Sequence, residues 1–100
     1  MESIVNTLKF VPVLRKGVVV TKIGEKAVVY PPKNEETIPY VLFINNIGLE
    51  VFSCINGQRN ILQIFNVLES KYSVNKIKLL QDVLQFLHDL SEEKIIVWRK

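Results

Sequence analysis

The stretch Thr37-Ile38-Pro39-Tyr40-Val41-Leu42-Phe43-Ile44-Asn45-Asn46-Ile47-Gly48-Leu49-Glu50-Val51-Phe52-Ser53-Cys54-Ile55-Asn56-Gly57 changes hydrophobic period at its middle, and that change decides the fold. Its first half, Tyr40 to Ile44, is an unbroken apolar run of β-branched and aromatic residues, too short for a helix, and reads as a strand. Adjacent strand residues point to opposite faces, so this strand needs cover on both. From Asn45-Asn46 onward Ile47, Val51, Phe52 and Ile55 recur at helical spacing. An Asn can cap the new helix, and Gly57 can end it in a left-handed conformation. A two-faced apolar strand therefore runs directly into a short helix, expected from Asn46 to Asn56.

Upstream, Gly17 to Ile23 reads as a strand, Gly24-Glu25-Lys26 as a hairpin turn, and Ala27 to Tyr30 as the returning strand. Pro31 to Glu36 is a polar loop that cannot continue a central strand. The first half is thus an antiparallel meander of three strands, with Tyr40 to Ile44 as the third. Before it, Met1 to Lys16 is an arm or edge strand, because Pro12 withholds an N–H from any ladder.

Downstream, Asn60 with Gln63 forms a variant of the capping box, and Ile61, Ile64, Phe65 and Leu68 stripe a second helix that ends near Lys71-Tyr72. Ser73 is the expected cap of a third helix, from about Val74 to Glu93. Ile95-Ile96-Val97-Trp98 closes the chain as a short strand or apolar tail. The fold class is α+β and winged-helix-like: an N-terminal meander followed by three α-helices, with residues 17–98 as the domain and 1–16 as its arm.

The third helix has two apolar lines, Ile77, Leu80, Leu84, Leu87 and Leu79, Val83, Phe86, Leu90. Together they span about half the circumference, wider than the ~100° stripe one core requires. Either the helix is sandwiched within its own protein, or one line faces a groove. If Tyr40 to Ile44 is the meander's edge, its unpaired N–H and C=O groups are a template for an added strand, guarded only in part by Pro39. An exposed apolar edge beside a helix with a spare apolar line suits β-augmentation by an extended peptide.

The pattern Leu42-Phe43-Ile44-Asn45-Asn46-Ile47-Gly48, Val51-Phe52, Asn56-Gly57, Ile61-Leu62 to Tyr72, Asp82-Val83 to Leu90 and Ile95-Ile96 resembles the PqqD family, also called the RiPP precursor peptide recognition element, here standing alone. The resemblance covers roughly Gly17 to Val97, though the Pro31 to Glu36 loop is longer than is usual. It implies a non-catalytic module, a peptide chaperone, that binds the leader of a ribosomally made precursor peptide and presents it to a maturation enzyme. Such modules serve natural product biosynthesis, including that of PQQ and lasso peptides. The leader would pair antiparallel with the third strand and pack on the third helix. Carried over by position, the peptide-binding residues are Ile38, Tyr40, Val41, Leu42, Phe43 and Ile44, with Leu79, Leu80, Val83, Leu84, Phe86 and Leu87 on the helix. Tyr40, Leu42 and Ile44, or else Val41 and Phe43, would shape the pockets, since a slip of one residue exchanges the strand faces. Lys76, Lys78 and Arg59 would meet acidic leader residues at the rim, or else serve only as solvated surface. The partner could be a leader peptidase, a radical enzyme or a cyclase, and the peptide class stays open: lasso, radical-modified or cyclodehydrated.

No feature calls for catalysis, a metal or a cofactor. His88, the single histidine, reads as helix surface and Cys54 as a buried thiol, while Asp82, Asp89, Glu92 and Glu93 have no base or phosphate loop to pair with. One cysteine allows no intrachain disulfide, and no apolar run reaches the length of a membrane span, so a cytoplasmic protein with no membrane partner is expected. The alternative is a winged helix-turn-helix DNA-binding regulator. A net charge of +3 is mild for that class, and Lys71, Lys76 and Lys78 are followed by Gln81, Gln85 and Asp89, so nucleic acid is not the expected partner. An exposed edge could also join two copies in a homodimer.

Overall fold

The computed structural model describes residues 7–24, 26–32, 46–73 and 75–100, and the strand formed by residues 40–43. Its elements are β1 (Val11–Leu14), β2 (Val19–Ile23), β3 (Lys26–Tyr30), β4 (Tyr40–Phe43), α1 (Asn46–Cys54), α2 (Ile61–Lys71), α3 (Lys76–Glu92) and β5 (Ile96–Arg99). The class is α+β, as the sequence predicts.

The meander is present, an antiparallel sheet in the order β2-β3-β4. Gly24, with φ at 62°, lies in the left-handed region that lets the chain turn from β2 toward β3. Val19 pairs with Tyr30 at one end of the hairpin and Ile23 with Lys26 at the other. One face of β3 is buried through Ala27 and Val29, while Lys26 and Tyr30 are exposed. The expected turn residue Glu25, the loop from residue 33 to 39 and Val74 lie outside the described residues.

The arm is tied to the opposite end of the chain. β1 and β5 form a separate antiparallel sheet in which Val11 faces Arg99 and Leu14 faces Ile96. In a pair of strands each is an edge, so Pro12 loses no ladder bond by turning its missing N–H outward. Ahead of β1, the carbonyls of Phe10 and Leu8 accept from the N–H groups of Ile61 and Leu62, at 3.1 and 3.2 Å. These are donors that the first turn of α2 leaves without helical partners. The capping box predicted for α2 completes that end: Asn60 Oδ1 accepts from Gln63 N, and Gln63 Oε1 from Asn60 N, both at 2.8 Å.

Two helix boundaries differ from expectation. α3 is capped by Asn75, not Ser73, because Asn75 Oδ1 accepts from both Ile77 N and Lys78 N at 2.9 and 3.1 Å. α1 ends at Cys54 rather than Asn56, and Asn56 instead uses Oδ1 to accept from Gln58 N and Arg59 N. Gly57 is left-handed, with φ at 79°, in the turn beyond the helix.

α3 closes in a Schellman arrangement, with Lys94 at φ 60° in the place glycine usually takes. Lys94 N donates to Ser91 O and Ile95 N to Leu90 O, and the buried side chains of Leu90 and Ile95 accompany the turn. This reversal returns the chain toward β1 as β5. The core lies under all three helices: Val51 and Phe52 from α1, Ile61, Ile64 and Leu68 from α2, and Leu79, Val83, Leu87 and Leu90 from α3 join Ala27, Val29, Ile95 and Ile96. Among the described residues no polar side chain is buried with them.

Candidate functional site

β4 pairs with β3 and has no further strand on its other side among the described residues. The register sets Tyr40 against Val29, Val41 against Val28, Leu42 against Ala27 and Phe43 against Lys26. Tyr40 and Leu42 therefore stand opposite the two buried positions of β3, at 1% and 0% exposure. Ile38 and Ile44, the remaining strand positions expected at the site, lie outside the described residues.

Just beyond β4 in the chain, the first turn of α1 and one flank of α3 enclose a groove of about 400 Å³, lined by Ile47, Gly48, Lys78, Asp82, Gln85, Phe86 and Asp89. Ile47 and Phe86 are half-buried and form its apolar part, and Phe86 is fixed edge-on against the buried Phe52 with ring centroids 6.0 Å apart. Along α3 the polar lining residues bond to one another. Lys78 Nζ donates to Asp82 Oδ1 at 3.1 Å, and Gln85 Nε2 to Asp89 Oδ1 at 2.9 Å. The groove thus offers an apolar seat flanked by two carboxylates, one met by an ammonium and the other by a neutral amide.

The helix residues expected at the site are divided by the fold. Phe86 lines this groove, whereas Leu79, Val83 and Leu87 are in the core at 1%, 0% and 1% exposure. Leu80 and Leu84 are half-buried on the other flank, and Ile77, from the same predicted line, is 72% exposed. That flank borders a second groove, of about 320 Å³, lined by Thr7, Phe10, Ile61, Leu84, Leu87, His88 and Trp98. The missed lining residues Asp82, Gln85 and Asp89 do leave a signal, a polar line with Lys78 at helical spacing, but such a line is the ordinary mark of solvated surface.

The basic residues assigned to the rim all have partners within the chain. Lys76 Nζ lies 2.9 Å from Glu69, Lys78 pairs with Asp82, and Arg59 Nη1 donates to Cys54 O at 3.2 Å. A similar pair joins Lys71 to Glu50 at 2.9 Å, and the bonds from Glu50 and Glu69 raise the pKa of their lysines. The three lysine pairs are at the surface and exchange partners cheaply, whereas the Arg59 bond is part-buried.

Cys54 is buried at 5% exposure, and burial pushes its thiol up, away from the thiolate. His88 is exposed, with Nε2 3.6 Å from Glu92 Oε1. Among the described residues no group of His, Cys, Asp and Glu is placed to hold a metal ion, and no helix is long and apolar enough to cross a membrane.

A family model described as Coenzyme PQQ synthesis protein D (PqqD) matches residues 27–96, from β3 to the start of β5. Among solved structures, that of TbiB1 in complex with the TbiA(beta) leader peptide is similar to this chain with a TM-score of 0.68. The match covers 84% of this chain and 93% of TbiB1, at 18% identity, so the likeness is one of fold. A search of curated proteins found no match.

Proposed function

This chain belongs to the PqqD family, and from that premise we propose that it is a non-catalytic module that recognises the leader of a ribosomally synthesised precursor peptide. The observation that carries the reading is the open edge of β4, which continues along the chain into a groove between α1 and α3. An extended leader adds to that edge antiparallel, its backbone taking up N–H and C=O groups that β3 does not use. Residues that alternate along it then enter the groove beside Ile47 and Phe86. In register, Tyr40 and Leu42 pair with the buried Val29 and Ala27, and Val41 and Phe43 with Val28 and Lys26. TbiB1, similar in fold, is solved in complex with a leader peptide, which supports a leader as the class of ligand.

Of the expected helix residues, this reading retains Phe86 for direct contact and assigns Leu79, Val83 and Leu87 to holding the helix in place. Leader binding leaves the chemistry to a separate maturation enzyme, a leader peptidase, a radical enzyme or a cyclase, in the cytoplasm. Without peptide, the same edge is free to pair with a second copy as a homodimer.

Isothermal titration against the leader half of the cognate precursor, with the core half as control, tests the proposal. Saturable binding of the leader alone is expected, with weak dependence on salt. Absence of binding at high micromolar concentration, together with retention on DNA that falls steeply with ionic strength, would replace it with a DNA-binding regulator.

A further inference from the structure

We propose that the groove between α1 and α3 selects leaders carrying an apolar residue and, two positions along the strand, a basic one: the apolar side chain seats on Ile47 and Phe86, the basic one on Asp89. The inference rests on the leader-binding reading above and specifies its substrate.

Three observations lead to it. The first is spacing. Phe86 and Asp89 are neighbours on one face of α3, and residues at that separation on a helix stand about 5–6 Å apart at Cβ. Residues i and i+2 of an added strand share a face and are about 6.6 Å apart, so one strand face can meet both.

The second is the state of the charges. Among the described residues Asp89 has the neutral Gln85 amide as its side-chain partner, whereas Asp82 is met by Lys78. Asp89 is exposed, and its carboxylate can accept from an incoming ammonium or guanidinium without first losing a cation.

The third is contrast with the whole chain. The protein carries a net charge of +3, yet this groove is lined by Asp82 and Asp89 against one cation, Lys78. Of the three cations that would suit an acidic leader, Lys76 and Arg59 line neither groove and are bonded to Glu69 and the Cys54 carbonyl, and Lys78, the one in the groove, is paired with Asp82. The expectation of acidic leader residues is therefore reversed in sign at the groove.

The test is a selection from a random peptide library displayed as mRNA fusions, run against the full chain and against Asp89→Lys. Wild-type protein is expected to enrich an apolar residue followed or preceded, two positions away, by Lys or Arg; Asp89→Lys should replace that basic preference with Asp or Glu. For one enriched peptide, Asp89→Lys should weaken binding about fivefold, the upper range for an exposed charge pair, and the peptide with Lys or Arg changed to Glu should recover it. Because Asp89 is on the surface, the variant's thermal melt serves as the folding control. Peptides that bind without a basic preference, or whose preference survives Asp89→Lys, would overturn the inference while leaving leader binding intact. If no peptide is enriched and the cognate leader also fails to titrate, the leader-binding reading fails and this inference with it.

Discussion

The two flanks of α3 border grooves of similar size, about 400 and about 320 Å³, but opposite character. On the α1 side, Phe86 and Ile47 are flanked by Lys78, Asp82, Gln85 and Asp89, and β4, which precedes α1 in the chain, is paired on one side only among the described residues. On the other side, Phe10, Ile61, Leu84 and Trp98 meet where β1 and β5 have already paired, with the Phe10 and Trp98 rings 6.5 Å apart and tilted by 59°. Trp98 Nε1 donates to Ser91 Oγ, tying β5 to α3. The more apolar groove is walled by a closed pair of short strands, whereas the mixed groove lies at the start of the helix that follows β4, whose second side has no partner strand among the described residues. An edge strand of this kind is a template for β-augmentation, which apolar lining alone is not.

The strongest challenge to this contrast acts on the strand. Val41→Asp together with Phe43→Asp is expected to reduce leader affinity below detection while the helical circular dichroism is retained. Unchanged affinity in titration would remove β4 from the site.

Next in size is the shared core line. Leu87→Ala should lower stability by about 2–5 kcal/mol in urea unfolding, since the side chain is 1% exposed. A much smaller loss would show that Leu87 has more freedom than a core residue, reopening it as a peptide contact.

Trp98→Ala then separates the flanks. At 39% exposure, Trp98 should contribute about 1–2 kcal/mol through Phe10 and the groove wall, with leader affinity unchanged. Loss of affinity in a folded Trp98→Ala protein would transfer the site to the second groove.

The smallest effect is expected for Lys78→Ala, which removes an exposed i,i+4 pair and should change stability by less than about 0.5 kcal/mol. Freeing Asp82 should nevertheless raise affinity for a basic peptide about twofold. A fall in affinity would show that Lys78 contacts the leader directly.

The parts that could be read in advance are those governed by neighbours in the chain. The switch from strand to helix at Asn46, the hairpin turn at Gly24 and the capping box at Asn60 each depend on a few consecutive residues. The Schellman turn at Lys94 was not legible, because the usual glycine is absent and the stabilising bonds reach back only once α3 has formed. The pairing of β1 with β5 was equally hidden: the two strands are short and come from opposite ends of the chain, and a proline in one argued only that it would be an edge.

The candidate site divides in the same way. Periodicity identified α3 as apolar over half its circumference, a local property of side chains spaced along one helix. Which of those side chains became core depended on where α1, α2 and β5 packed. That packing buried Leu79, Val83 and Leu87, placed Leu84 in one groove with Trp98, and brought the polar line of Lys78, Asp82, Gln85 and Asp89 to the groove between α1 and α3. Residue order determines the elements, because propensity, caps and hydrophobic period act over a few neighbours. Tertiary structure assigns the helix faces, because burial depends on contacts between segments far apart in the chain.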